Sequence, residues 1–249
     1  MPKIETLDLR VRDPNTQVKF YCDVLGMKDI GDGCVSYADQ ETALRFLKTE
    51  RSYTPHPHDL YWKIALAVPD IELACRQLQD RGVSVGTPSQ FRDVGYLTKI
   101  VDPEGLVIEL IDHWFQGNRP DGPVNPDFLG GGAHLNLLTL RTADIDPIKR
   151  ACAEWGMTPL SVQPVTPYGY TLYFFAFTAE TPPSTDLMAV ENREWVYQRP
   201  YTVLEVQHLH SIDAVGLPDP GKAGYAGMTV SGVPGLEHNA GGIMVSSGN

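Results

Sequence analysis

The chain repeats itself, and that constrains its fold more than any other property. One unit is an apolar or alternating strand, then an Asp-led amphipathic stretch, then a closing glycine. It runs from Leu7-Asp8-Leu9-Arg10-Val11-Arg12-Asp13 to Gly26, again from Ile64-Ala65-Leu66-Ala67-Val68-Pro69-Asp70 to Gly82, and a third time from Leu138-Thr139-Leu140-Arg141-Thr142-Ala143-Asp144 to Gly156. Each middle stretch carries apolar residues at helical spacing: Val18, Tyr21, Cys22 and Leu25; Ile71, Ala74, Cys75 and Leu78; Ile148, Ala151, Cys152 and Trp155. Aspartate suits the helix entry, and glycine suits a left-handed exit.

Strands are expected after each helix. In the second unit they fall near Ser84–Gly86, Gly95–Val101 and Leu106–Ile111, with Asp102-Pro103-Glu104-Gly105 as a tight turn. The unit therefore reads β-α-β-β-β, and the class is α+β. In the third unit, strands are expected at Thr171–Thr178 and Tyr201–Leu209, separated by an insertion from Ala179 to about Arg199. A fourth unit starts at Gly224, and the short tail behind it has no helical period, so an abbreviated unit is expected. The expected organisation is a first pair of units in 1–115, a Pro-, Gly- and Asn-rich linker in 116–131, and a second pair in 132–249.

Two glutamates interrupt apolar runs: Glu109 in Leu106-Val107-Ile108-Glu109-Leu110-Ile111 and Glu205 in Val203-Leu204-Glu205-Val206. Side chains alternate along a strand, so Glu109 shares a face with Val107 and Ile111, and Glu205 with Val203 and Gln207. A carboxylate on an apolar face needs a cation, a hydrogen-bond partner or a proton. Both are candidates for metal ligands or for a catalytic base. Tyr168, Tyr170, Tyr173, Phe174 and Phe175 read as core and cavity wall. His208 and His210 fall on the opposite strand face from Glu205, and His56 and His58 sit in a Pro-rich loop.

A net charge of −11 argues against nucleic acid and anionic membranes, and favours a small cationic or neutral ligand. No run of the 249 residues is long enough to cross a bilayer. The opening residues hold no apolar signal core and the four cysteines form no CxxC pair, so reduced thiols and a cytoplasmic location are expected.

The repeat, with "LRVRDPNTQVKFYCDVLGM" and "IALAVPDIELACRQLQDRG…DPEGLVIELI", resembles the glyoxalase/bleomycin-resistance/extradiol-dioxygenase family, the vicinal oxygen chelate superfamily. The likeness covers 4–113 and 134–210, where "TLYFFAF…REWVYQRPYTVLEVQH" is similar to the first half of glyoxalase I. It implies two glyoxalase-like domains of paired units, each pair curled around a cavity. It implies one of several activities: a lyase or isomerase moving a proton beside a carbonyl, an extradiol-type ring-cleavage dioxygenase, or a non-catalytic binder of a small, antibiotic-type molecule. The resemblance also allows a homodimer.

In the family pattern, unit one has Thr6 and Arg45 at its ligand positions and looks degenerate. Unit two has Lys63 where the family has a histidine, and Glu109 at the last-strand glutamate. Unit three has Glu205; its first-strand ligand falls on Leu137 counted from Arg141, or on Asn136 counted from Gly156, with His134 on the same strand face. Unit four has Tyr225 at the histidine position. The resemblance thus implies one working cavity between units two and three, with Glu109, Glu205, Asn136 and His134 as metal ligands, Glu109 and Lys63 as catalytic groups, and Arg141 and Tyr225 toward substrate. A glutamate pair with Asn or His suits Ni, Zn, Mn, Co or Fe without choosing among them. The alternative is that Lys63 supplies the cation and no metal is used.

Overall fold

The computed structural model describes residues 2–38, 41–219, 221–233, 237–240 and 243–248. Three units have the same element order. Unit one is β1 (Lys3–Val11), α1 (Pro14–Asp23), β2 (Lys28–Gly31), β3 (Cys34–Ser36) and β4 (Ala43–Lys48). Unit two is β5 (Tyr61–Val68), α2 (Ile71–Asp80), β6 (Ser89–Phe91), β7 (Gly95–Val101) and β8 (Val107–Asp112). Unit three is β9 (His134–Thr142), α3 (Asp146–Trp155), β10 (Thr158–Val165), β11 (Tyr170–Ala176), α4 (Glu191–Tyr197) in the insertion, and β12 (Val203–Leu209). The fourth unit contributes β13 (Gly224–Ser231), β14 (Glu237–Ala240) and β15 (Ile243–Ser247), with no helix among the described residues.

Asp13 and Asp70 cap α1 and α2 by accepting from the backbone N–H of Thr16 and Leu73. The third aspartate, Asp144, accepts from Asp146 N, one residue early, and Ile145 occupies the cap of α3. Gly26, Gly82 and Gly156 close the three helices with φ of +80°, +78° and +83°, where a Cβ would be strained. The expected stripes of α2 and α3 are buried. In α1 the buried pair is Gln17 and Tyr21, because Asp102 in the unit-two turn accepts from Gln17 Nε2 at 2.6 Å and from the Tyr21 hydroxyl at 3.2 Å.

Two strands depart from the sequence expectation. The first small strand of unit two lies at Ser89–Phe91, not at residues 84–86; Gly86 only accepts a hydrogen bond from the Thr98 hydroxyl. The strand β10, TPLSVQPV, carries two prolines and gave no strand signal. It is an edge strand, where a missing N–H costs little.

The strands form two sheets, ordered β14-β15-β13-β1-β4-β3-β2 and β10-β11-β12-β9-β5-β8-β7-β6. The sheets cut across the sequence halves. Units one and four meet where β1 pairs antiparallel with β13, and units two and three meet where β5 pairs antiparallel with β9. Within each of the first three units, the last strand runs parallel to the first. One core joins α1, α2 and α3 to both sheets through residues such as Leu9, Leu66, Leu78, Leu138 and Trp155. A second core, with Ala65, Ile111, Leu137, Leu172, Phe174 and Tyr197, fills the other face of the eight-stranded sheet under α4. The stretch between β8 and β9 is anchored to α2: Gly130 N–H donates to Gln77 Oε1, and its carbonyl accepts from Asp70 N–H.

Candidate active site

The last strands of units two and three flank the first strands, so the order across the sheet centre is β12-β9-β5-β8. Register then fixes the site. Glu205 lies opposite Thr139, Thr139 opposite Lys63, and Glu109 opposite Ala65 one pleat along. These side chains meet on the face that carries the second core. Lys63 Nζ is 2.8 Å from Glu109 Oε1, 2.9 Å from Glu205 Oε2 and 3.0 Å from Thr139 Oγ1. The Thr139 hydroxyl in turn donates to Glu205 Oε2. The side chains of Lys63, Glu109 and Glu205 are only 2%, 6% and 4% exposed. Burial opposes the Lys63 charge, but Glu109 and Glu205 outweigh it and hold the ammonium above the ordinary lysine range.

An ammonium has three N–H donors, and all three of Lys63 have acceptors here. Glu109 gives one oxygen to Lys63; among the described residues no hydrogen bond holds its Oε2. That carboxylate borders a small cavity of about 100 Å³ walled by Trp62, Phe91, Leu97, Lys99 and Tyr170. Trp62 is the extra residue of a bulge between Tyr61 and Lys63, which brings the indole to the same mouth as the lysine. Three cations surround it: Lys63 Nζ and Lys99 Nζ each 4.9 Å from the ring centroid, and the Arg141 guanidinium at 4.8 Å.

Lys99 and Arg141 have no carboxylate within ion-pair distance among the described residues. Partial burial of its ammonium pulls Lys99 below the usual lysine value; Glu109 and Glu205 oppose that fall, while Lys63 and Arg141 add to it. Burial brings Arg141 to about 10 against the pull of Tyr53 and Asp59, and its Nε donates to Gln207 Oε1 at 2.9 Å.

Other expected site residues lie elsewhere. Asn136 is the extra residue of a second bulge, where Ala65 faces Leu137 but Leu66 faces Leu135. The bulge breaks the alternation that counting along the strand assumes. Asn136 Nδ2 is spent on the carbonyls of Val196 and Arg199 beneath α4. His134 packs against His113, ring centroids 5.4 Å apart, and burial brings both imidazoles to about 4. Tyr225 sits in the other sheet, opposite Leu9, with its ring 6.3 Å from that of Tyr61. At the equivalent place in unit one, Arg45 is paired with Asp8, Nε to Oδ1 2.9 Å. His208 and His210 bond to Ala143 O and to the Thr171 hydroxyl, away from Glu205.

The residues present do not fit a divalent ion between Glu109 and Glu205. The position between the carboxylates is filled by Lys63 Nζ; of the expected third and fourth ligands, Asn136 is held through its Nδ2 by backbone carbonyls at α4 while its Oδ1 is buried without a hydrogen-bond partner among the described residues, and His134 packs against His113. Among the described residues no three of His, Cys, Asp or Glu converge as a metal-binding group.

Sequence reasoning missed Thr139, Trp62 and Lys99. A signal for Thr139 exists: it is the one polar residue in Leu137-Leu138-Thr139-Leu140. Trp62 and Lys99 reach the site through a bulge and a neighbouring strand, which no local pattern reports.

A family model described as the Glyoxalase/Bleomycin resistance protein/Dioxygenase superfamily matches residues 3–110. A probable lactoylglutathione lyase from Synechocystis sp. is 30% identical over 117 residues, 41% of this chain and 89% of the relative. The crystal structure of glyoxalase I from Zea mays superposes with a TM-score of 0.62 at 18% identity, covering 93% of this chain and 74% of that one. A putative dioxygenase from Bacillus subtilis superposes with a TM-score of 0.54 at 13% identity, covering 92% and 69%. The two superpositions speak to the fold, two curled mixed sheets built from tandem units. With that fold, the matching family model and the curated relative, the chain belongs to the glyoxalase/bleomycin resistance protein/dioxygenase superfamily.

Proposed function

We propose that the chain is a glyoxalase-like lyase or isomerase that moves a proton next to the carbonyl of a small oxygenated substrate. Glu109 is the base. The observation that carries this reading is the state of its carboxylate: Glu109 lines a cavity with one oxygen anchored on Lys63 and the other without a hydrogen bond among the described residues. A substrate carbon held there gives its proton to Glu109 Oε2, and the C–H electron pair moves onto the carbonyl oxygen as an enediolate. Return of the proton to the neighbouring carbon, with the hydroxyl proton of the first carbon passing to the oxygen of the second, completes the isomerisation.

The developing oxyanion needs positive charge in a site of low polarity. Lys63 supplies it through space, since its donors are used by Glu109, Glu205 and Thr139. Lys99, at the cavity wall and free of a carboxylate partner among the described residues, is the donor left to meet the oxygen. Glu205 and Thr139 position Lys63, and Trp62 closes the mouth. Arg141, also stacked on Trp62 and without a carboxylate partner among the described residues, is placed to hold an anionic substituent of the substrate. The ring-cleavage alternative needs two histidines and a carboxylate around one ion. It lacks support here, because His134 lies under α4 and Tyr225 lies in the other sheet.

The test is exchange of the proton alpha to the carbonyl with solvent deuterium, followed by NMR over a panel of hemithioacetals and small α-hydroxy ketones. The wild type is expected to exchange at least one of them, and Glu109→Gln to lose about 100-fold or more in rate. Exchange that survives unchanged in Glu109→Gln sinks the assignment of the base. A folded wild type that exchanges none of the panel sinks the proton-transfer reading.

A further inference from the structure

We propose that Lys63 is the resident cation of this site and the one residue that bars a divalent ion from it, so that Glu109 and Glu205 form a latent metal site. The argument is about space and charge, and it stands apart from the reaction proposed above.

Three oxygens surround Lys63 Nζ at 2.8–3.0 Å: Glu109 Oε1, Glu205 Oε2 and Thr139 Oγ1. That radius is the length of a hydrogen bond from an ammonium. A first-row divalent ion draws carboxylate oxygens in to roughly 2.0–2.2 Å. It cannot share the centre with a nitrogen that already fills it. Charge gives the same answer. Two carboxylates this deeply buried require a cation between them, and the lysine meets that need through a covalent tether. Adding a divalent ion beside Lys63 would place like charges together in a site nearly closed to water.

The exclusion therefore rests on a single side chain. The two carboxylates come from β8 and β12, on opposite sides of the β5–β9 pair, and β5 carries position 63. An imidazole there is shorter than the lysine chain and carries no charge when neutral. It adds a nitrogen donor to two carboxylates, a set suited to Co(II), Ni(II) or Zn(II). The Thr139 hydroxyl or water completes the coordination.

The test is titration of tag-free, full-length protein with Co(II) and Ni(II), read by equilibrium dialysis with elemental analysis and by thermal unfolding. The exposed His56–His58 pair, rings 5.4 Å apart, gives a background, so the measured quantity is uptake that Glu205→Gln removes. Wild type is expected to show no such uptake and no change in Tm on adding a chelator. Lys63→His is expected to take up one equivalent and to gain stability as the free ion exceeds its dissociation constant. The double variant Lys63→His/Glu205→Gln should bind at least about tenfold more weakly. One equivalent in the wild type that Glu205→Gln abolishes would overturn the proposal. So would a folded Lys63→His that binds no more tightly than wild type. If Lys63→His does not fold, Lys63→Gln replaces it: Co(II) should then raise its Tm more than that of wild type, and an equal response overturns the idea.

Discussion

At the scale of single residues, Lys63 decides what Glu109 and Glu205 can be. Removing one partner of a buried ion cluster strands the others, so Lys63→Met is expected to cost about 3–5 kcal/mol in urea unfolding. Thr139→Val removes one acceptor from the lysine and one donor from Glu205, and should cost about 1–3 kcal/mol. The pH dependence has a definite sign. Lys63 titrates higher in the folded chain than in the unfolded one, so its contribution is present below the unfolded lysine value of about 10.4 and is lost as pH climbs through the folded value. The urea midpoint of wild type should therefore fall from pH 10 upward, and Lys63→Met should lack that part of the decline. Glu109, Glu205 and Lys63 are conspicuous in the sequence because charge is rare inside an apolar strand. Their meeting depends on the pairing of β5 with β9, which no local pattern reports; only the family resemblance led to its expectation.

At the scale of elements, two bulges explain most of what the sequence hid. A bulge adds one residue without changing composition, so residue counting keeps the wrong parity beyond it. At Asn136 the bulge turns the side chain toward α4, earlier on the strand than Thr139, the residue that faces Glu205, and at Trp62 it delivered an indole that counting would have placed elsewhere. The helices were far more legible, since their stripe and caps are local; Gln17 is the exception, buried by an aspartate in another unit. Two predictions belong here. Gly130, at φ +56°, would carry a Cβ 2.7 Å from Val68 Cβ and 3.0 Å from Asp70 O, and it anchors the connection to α2. Gly130→Ala should destabilise the fold by about 1–3 kcal/mol, measured by thermal or urea unfolding. His113 and His134 are held neutral by burial down to about 4. Their contribution is complete above the ordinary histidine value and disappears as pH falls toward 4. His113→Phe should take up fewer protons on unfolding across that range, and its stability should fall less steeply between pH 6.5 and 4.

At the scale of the whole molecule, the repeat carried the fold class and the composition carried little about the site. A net charge of −11 suggested a cationic or neutral ligand, yet the cavity lined by Glu109 and Glu205 also holds Lys63 and Lys99, and Arg141 joins them around one indole. Net charge describes the outer surface, and the wall of a small cavity is independent of it. Among the described residues no helix is long and apolar enough to cross a membrane. The sequence led to an expected division into 1–115 and 132–249, while each sheet draws one unit from each of these stretches, a long-range pairing that no window along the chain contains.

That interleaving bears on how the polypeptide emerges from the ribosome. Strand β1 is made well before its neighbour β13, so until β13 emerges β1 is paired on one edge only, by β4. Strand β5 waits in the same way for β9. A nascent product stalled after the second unit would display two raw, apolar margins at once, the sort of surface that recruits chaperones or a second unfinished copy.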